Sequence, residues 1–226
     1  MGAVTDLEST AVRRAIDEIG LWSAERGCSL TVDQLEKLAV YFRTLLAWNR
    51  AFALVSRQDV PTIAAKHFAD SLVAAFACPT EGSVADLGSG AGFPGLVIAI
   101  VRPLVQVRLF ESRGKKVSFL REVIRLLELA NADARQERVE AARRASEREG
   151  EHDLTIARAF GSLDEFLTLS RPLLRDRGVA LAMKGPSHAD ELEGLDLAAA
   201  GFALESVREY VLPDSSRRAL LRFCRR

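Results

Sequence analysis

From Gly82 onward, short apolar runs alternate with helical stretches, and few folds accommodate that order. SVADL, VRLFE, DLTIARA and GVALAMK read as strands, while GLVIAIV, KVSFLREVIRLLEL and a segment opening at Ser162 lie between them as helices. Ser162 and Glu165 have capping-box spacing. Strand–helix alternation of this kind predicts a parallel sheet with right-handed crossovers, a doubly wound α/β fold. The end of the chain differs. ALESVREYVLP and RALLRFCRR read as two strands joined by PDSSR with no helix between them, so the last strand is expected to run antiparallel to its neighbours.

The first 80 residues read as a helical cap, and residues 81–226 as the sheet domain, the two forming one compact unit. From Thr5 to Arg26, Leu7, Val12, Ile16, Ile19 and Leu21 recur at helical spacing, and Gly27 ends the run. Thr31 with Gln34 makes a capping box for a second helix lined by Leu35, Leu38, Phe42, Leu45 and Leu46. A third is expected from about 59–61 to the residues before Pro79. The run RQERVEAARRASEREGEHD, Arg135 to Asp153, reads as a solvated helix of mixed charge.

Composition narrows the function classes. With 31 basic and 31 acidic residues, any nucleic-acid partner must be met by a local basic patch. Three scattered cysteines and three scattered histidines offer neither a disulfide framework nor a metal site. The N-terminus lacks the pattern of a signal peptide, and no apolar run approaches the ~18 residues of a membrane span. These features suggest a cytoplasmic protein, and a monomer is expected without any of them bearing on it.

The most informative stretch is VADLGSGAGFPG, residues 84–95. It places a strand, four glycines and Pro94, where the next helix should begin. Gly90, Gly92 and Gly95 satisfy the dinucleotide fingerprint, and Glu111 ends the next strand 19 residues after Gly92, where an acid can bind ribose hydroxyls. Asp86 separates the candidate ligands. A pyrophosphate at this helix N-terminus would lie close to a carboxylate, and two anions in one dry pocket repel. S-adenosylmethionine carries no phosphate and two cationic centres, so an acid helps to hold it while the loop amides face its carboxylate. The alternatives are an NAD-dependent oxidoreductase and a non-catalytic RNA-binding module on the same fold.

DLGSGAGFPG, followed by ESRGKKVSFLREV, RVE, IARAFGSL and MKG, resembles the RsmG (GidB) family of small-subunit ribosomal RNA methyltransferases. WNRAFALVS and KHFADSL are similar to the family's Trp-Asn and His-Phe-x-Asp-Ser-Leu segments. The resemblance covers about residues 35–186. Phe52, Val55-Ser56 and Gly161 depart from its pattern, in place of Ile, Leu-Thr and Ala. It implies a Rossmann-like class I methyltransferase with a seven-stranded, mostly parallel sheet. It also implies methylation of guanine N7 in 16S ribosomal RNA, in a loop near the decoding centre, free or within the small subunit. N7 carries a lone pair and no proton, so in-line displacement needs no general base.

By position, Asp86, Gly88, Gly90 and Phe93 border the cofactor and Glu111 holds its ribose. The resemblance adds Val139 and Glu140 beside the adenine. Arg158 and Lys184, at the ends of the fourth and fifth strands, are candidates to position cofactor or RNA; a structural salt bridge is the rival reading for Arg158. Asn49, His67 and Asp70 lie in the helical cap, with His67 read as a structural histidine. Two basic clusters are candidates for RNA phosphates: Arg113, Lys115, Lys116 and Arg121 after the second strand, and Arg217, Arg218, Arg222, Arg225 and Arg226 at the C-terminus, with Lys184 on the same rim.

Overall fold

The computed structural model describes residues 2–56, 58, 60–138 and 150–226. Two long helices come first, α1 (Gly2–Ala24) and α2 (Val32–Asn49). Gly27, at a φ of 77°, lets the chain turn after α1, and Thr31 and Gln34 complete both halves of the capping box at α2. Val12, Ile16 and Ile19 are buried, whereas Leu7 and Leu21 are 74% and 68% exposed. At ~100° per residue these two leucines fall off the stripe that the other three define, so they are not part of the buried face expected for them.

The third helical stretch is interrupted. α3 (Val60–Ile63) widens into a π-helical turn (Ala64–Ala69) and resumes as α4 (Asp70–Ala77). Then come β1 (Glu81–Leu87), α5 (Gly95–Val101), β2 (Leu104–Glu111), α6 (Gly114–Leu126), β3 (Ala132–Gln136), β4 (His152–Arg158), α7 (Leu163–Ser170) and β5 (Leu174–Lys184). The chain closes with α8 (His188–Glu193), α9 (Leu197–Ala200), β6 (Phe202–Val211) and β7 (Arg217–Arg225).

The seven strands are ordered β3-β2-β1-β4-β5-β7-β6. β1 to β5 pair in parallel, and β7 runs antiparallel between β5 and β6, as the missing crossover helix requires. The expected solvated helix at 135–153 is corrected at both ends: Arg135 and Gln136 finish β3, and His152 and Asp153 open β4. β3 is an edge strand with only Ala134 buried, so it carries no apolar alternation to read.

Strand alternation sorts the core into two layers. Val84, Val107, Leu109, Ile156, Leu181 and Met183 face α1, α2, α4, α5 and α6 in one continuous cluster. Ala85, Leu87, Phe110, Ala157, Ala180 and Ala182 face α7 and the C-terminal segments. The parity has a consequence at the strand ends. Arg158, two residues beyond Ile156, emerges toward the N-terminal helices, whereas Lys184, two beyond Ala182, emerges on the other face.

Candidate functional site

Chain order reverses between β1 and β4, and ligands of open α/β sheets bind outside the carboxyl ends of strands at such a point. The glycine loop leaves β1 there. The Gly88 and Ser89 amides donate to the Phe110 carbonyl at 2.9 and 3.0 Å, and Gly90 donates to Glu111 Oε2 at 3.0 Å. These amides are engaged within the fold, which corrects the expectation that they face a ligand carboxylate. Gly88, Gly90 and Gly92 all have positive φ. Only Gly90 has room above it: a Cβ there would meet nothing closer than 3.8 Å, with Lys116 Nζ among its neighbours.

Asp86 also requires correction. Its carboxyl is 0% exposed, sealed beneath the loop, and Oδ2 accepts from the Gly95 amide at 3.0 Å. A Cβ on Gly95 would stand 2.5 Å from that oxygen, so the glycine gives the carboxyl access to the first turn of α5. Oδ1 is buried with no hydrogen-bond partner. Asp86 therefore braces the loop from beneath and is not placed to touch a group bound above it. Burial lifts its pKa from 3.8 to about 7, with Glu111 adding; Ser89, the Gly95 amide and Arg158 pull the other way.

Glu111 is 7% exposed and accepts from the Gly90 and Arg113 amides, the latter at 2.8 Å. A carboxylate has about four acceptor sites, so capacity remains for hydroxyl donors beside the open position over Gly90. Phe93 is core: it stacks on His67 at 5.1 Å and packs against Tyr41 and Phe68. Val139 and Glu140 lie outside the described residues.

Arg158 takes its rival reading. Nε donates to Asp70 Oδ2 at 2.8 Å, Nη2 to the Lys66 carbonyl at 2.7 Å, and Nη1 lies 2.6 Å from His67 Nδ1. The π turn brings all three acceptors to one guanidinium. Because arginine only donates, His67 Nδ1 accepts and the ring is neutral; burial, then Arg158, Lys66 and Arg218, lower its pKa to about 3. Lys184 donates to Glu191 at 2.7 Å and to the Gly161 carbonyl at 3.0 Å. Asn49 Oδ1 accepts from the Leu54 and Val55 amides, which makes it a loop support.

Neither of the chain's two tyrosines carries a motif that marks it as a site residue. Tyr41 is fully buried in α2 and donates to the Ala91 carbonyl at 2.5 Å, and Tyr210 donates to Asp70 Oδ1 at 2.7 Å. Burial raises both hydroxyl pKa values, so both stay donors. Their scarcity in this sequence was a usable signal. Of the basic residues, Arg113, Lys115, Lys116, Arg217 and Arg218 stand at the carboxyl rim of the parallel strands, where Ala219 of β7 pairs with Lys184. Arg121 binds the Ala134 carbonyl, Arg222 pairs with Glu205 at 2.7 Å, and Arg225 reaches the Leu174 carbonyl, away from that rim. Among the described residues no group of His, Cys, Asp or Glu could hold a metal, and no helix is long and apolar enough to cross a membrane.

The fold has solved counterparts. It matches M. jannaschii TYW2, whose structure holds AdoMet, at TM-score 0.56 and 19% identity over 71% of this chain and 76% of that one. It also matches a 16S rRNA (adenine(1408)-N(1))-methyltransferase W203A mutant from Catenulisporales acidiphilia at TM-score 0.52 and 16% identity, over 68% and 89%. Sequence relatives are nearer. Proteins named ribosomal RNA small subunit methyltransferase G are 40% identical in Halorhodospira halophila (74% of this chain, 77% of that one) and 35% identical in Geobacter sp. strain M21 (84% and 88%). The Bacillus cytotoxicus protein of that name is 33% identical over 91% of this chain and 89% of its own. The GidB family model, rRNA small subunit methyltransferase G, matches residues 34–218, a span that takes in the glycine loop, Glu111, Arg158 and Lys184, and the chain belongs to that family.

Proposed function

We propose that this protein transfers a methyl group from S-adenosylmethionine to N7 of a guanine in 16S ribosomal RNA, in a loop near the decoding centre, acting as a monomer in the cytoplasm. The observation that carries the donor assignment is the pairing of Glu111 with Gly90 at the switch point. An acceptor for ribose hydroxyls stands beside the one loop glycine with open space above it. Membership of the rRNA small subunit methyltransferase G family supports the substrate.

When bound, S-adenosylmethionine supplies an electrophilic methyl whose bond to sulfur breaks as the bond to guanine N7 forms, leaving a neutral thioether and a cationic base. The chain's own task is to orient and to exclude water. Glu111 fixes the ribose end, and Asp86 braces the loop from beneath. Asp70, Glu111 and Glu191 are each held in hydrogen bonds or ion pairs, which suits a reaction that removes no proton from its nucleophile.

Labelled S-adenosylmethionine incubated with 16S RNA, free and in small subunits, tests this directly. The RNA is then reduced and cleaved with aniline, which breaks the strand at N7-methylguanine. One labelled site is expected with the wild type and none with Gly90→Trp, whose ring fills the open position. Thermal stabilisation by S-adenosylmethionine and not by NAD is expected alongside. No label in either RNA refutes the substrate, and stabilisation by NAD alone refutes the donor.

A further inference from the structure

The three residues after β4, Ala159–Gly161, are built to present one side chain. Ala159 and Gly161 have φ values of 52° and 31°, and a left-handed alanine is strained. Phe160 between them is thrown across the switch point onto the glycine loop: a Cβ on Gly88 would stand 2.8 Å from its Cδ2 and 3.2 Å from its Cε2. The loop is braced at both ends and from both faces of the sheet. Before it, Arg158 is fixed by Asp70, His67 and Lys66; after it, the Gly161 carbonyl is fixed by Lys184, which Glu191 holds in turn. Glu191 also accepts from the Leu163 amide at 3.2 Å, tying down the start of α7.

The ring so presented is uncommitted. Phe160 is half-buried, resting on the α7 side of the core, and among the described residues it has no aromatic or cationic ring partner. The other aromatic groups near the rim are taken. Trp48 and Phe52 pack together at 5.6 Å with Lys115 over Phe52, Phe93 is buried, and the Tyr210 hydroxyl is bound to Asp70. Bases in single-stranded RNA are commonly recognised by stacking on an aromatic face, and enzymes that modify a base take it out of its own stack.

We infer that Phe160 is the platform on which the target purine stacks, and that Arg158 and Lys184 are positioning residues that brace its loop. This rests on the proposed RNA methylation. It separates base recognition, on the β4 side of the crevice, from donor binding on the β1–β2 side.

The test compares wild type, Phe160→Leu and Phe160→Trp in methylation of 16S RNA, with S-adenosylmethionine affinity measured separately by calorimetry and folding by thermal melting. Leucine keeps apolar packing on Gly88 and loses the π face. It is expected to lower kcat/KM for RNA about 10- to 100-fold, the size of one base–aromatic stack, with donor affinity within about threefold of wild type. Tryptophan, which keeps a π face, is expected to restore kcat/KM to within about threefold. Unchanged RNA kinetics in Phe160→Leu overturn the inference while leaving the methyltransferase reading intact. A fall in donor affinity matching the fall in kcat/KM makes Phe160 a cover for the cofactor and overturns it equally. A wild type that methylates no RNA removes the reading on which it rests.

Discussion

At the scale of single residues, Asp86 shows how a motif acid differs from a contact acid. The sequence placed a carboxylate at a glycine loop, and its position was legible. Its depth was not, because exposure depends on how far the loop folds back over β1. The sealed carboxyl has a measurable consequence. Its folded pKa, about 7, lies above the ordinary 3.8, so the folded chain holds this proton more tightly than the unfolded chain. Its contribution to stability is full below the unfolded value and is lost as pH rises toward 7, with a ceiling of roughly 4 kcal/mol. His67 and His152 act in the opposite sense. Burial lowers their pKa values to about 3 and about 4, so their contributions are full above 6.5 and fade as pH falls. Asp86→Asn, which removes only the first effect, should gain stability over wild type progressively from pH 4 to 7 and by a constant margin above that. Melting curves across pH 4–9 measure it; a difference that does not change with pH would show that Asp86 is not titrating from a buried state.

At the scale of elements, the attachment of the N-terminal helices to the sheet is the decisive feature. Beside the shared apolar core, its polar part centres on one acid of α4. Asp70 is 1% exposed and joins Arg158 of β4 to Tyr210 of β6, while the π turn just before it supplies the other two acceptors for Arg158. The segment HFADSL was visible as a motif, and the alternation in TIAR, with Ile156 and Arg158 on one parity, was enough to send Arg158 toward the helices. The π turn was hidden because one wider turn leaves the apolar pattern of a helix almost unchanged. Tyr210 was hidden because β6, an edge strand, is exposed along most of its length. Removing the acid in Asp70→Ala leaves a half-buried guanidinium and a buried hydroxyl without it, at a cost of about 3 kcal/mol. For a chain of this size that corresponds to a Tm lower by about 6–12 °C. Tyr210→Phe alone should cost about 1 kcal/mol, and close to nothing once Asp70 is alanine, because the hydroxyl acts through that carboxylate. A double-mutant cycle by thermal or urea unfolding measures the coupling; additive losses would mean that Tyr210 stabilises β6 independently of the helices.

At the scale of the whole molecule, a net charge of zero leaves RNA recognition to the distribution of charge. The sequence presented two basic clusters about a hundred residues apart and could not divide them further, since the division depends on strand direction and register. β2 ends, and β7 begins, at the same edge of the sheet. Arg113, Lys115 and Lys116 therefore share the rim of the glycine loop with Arg217 and Arg218, and none of the five has an acidic partner among the described residues. β7 then carries the remaining arginines away: Arg222 pairs opposite Leu181, and Arg225 opposite Phe202, toward the far edge. Arginines that look alike in sequence are thus expected to behave differently toward RNA. Each phosphate contact releases counterions, and the logarithm of affinity falls with the logarithm of salt concentration by about 0.7 per contact on a single strand. The double variant Arg217→Ala/Arg218→Ala should weaken RNA binding and flatten that slope by about 1.4, if each arginine meets one phosphate. Arg225→Ala/Arg226→Ala, with the same loss of charge, should leave the slope unchanged. Salt titrations of 16S RNA binding read both values, and equal flattening in the two variants would place the RNA over the whole terminal hairpin instead of the loop rim.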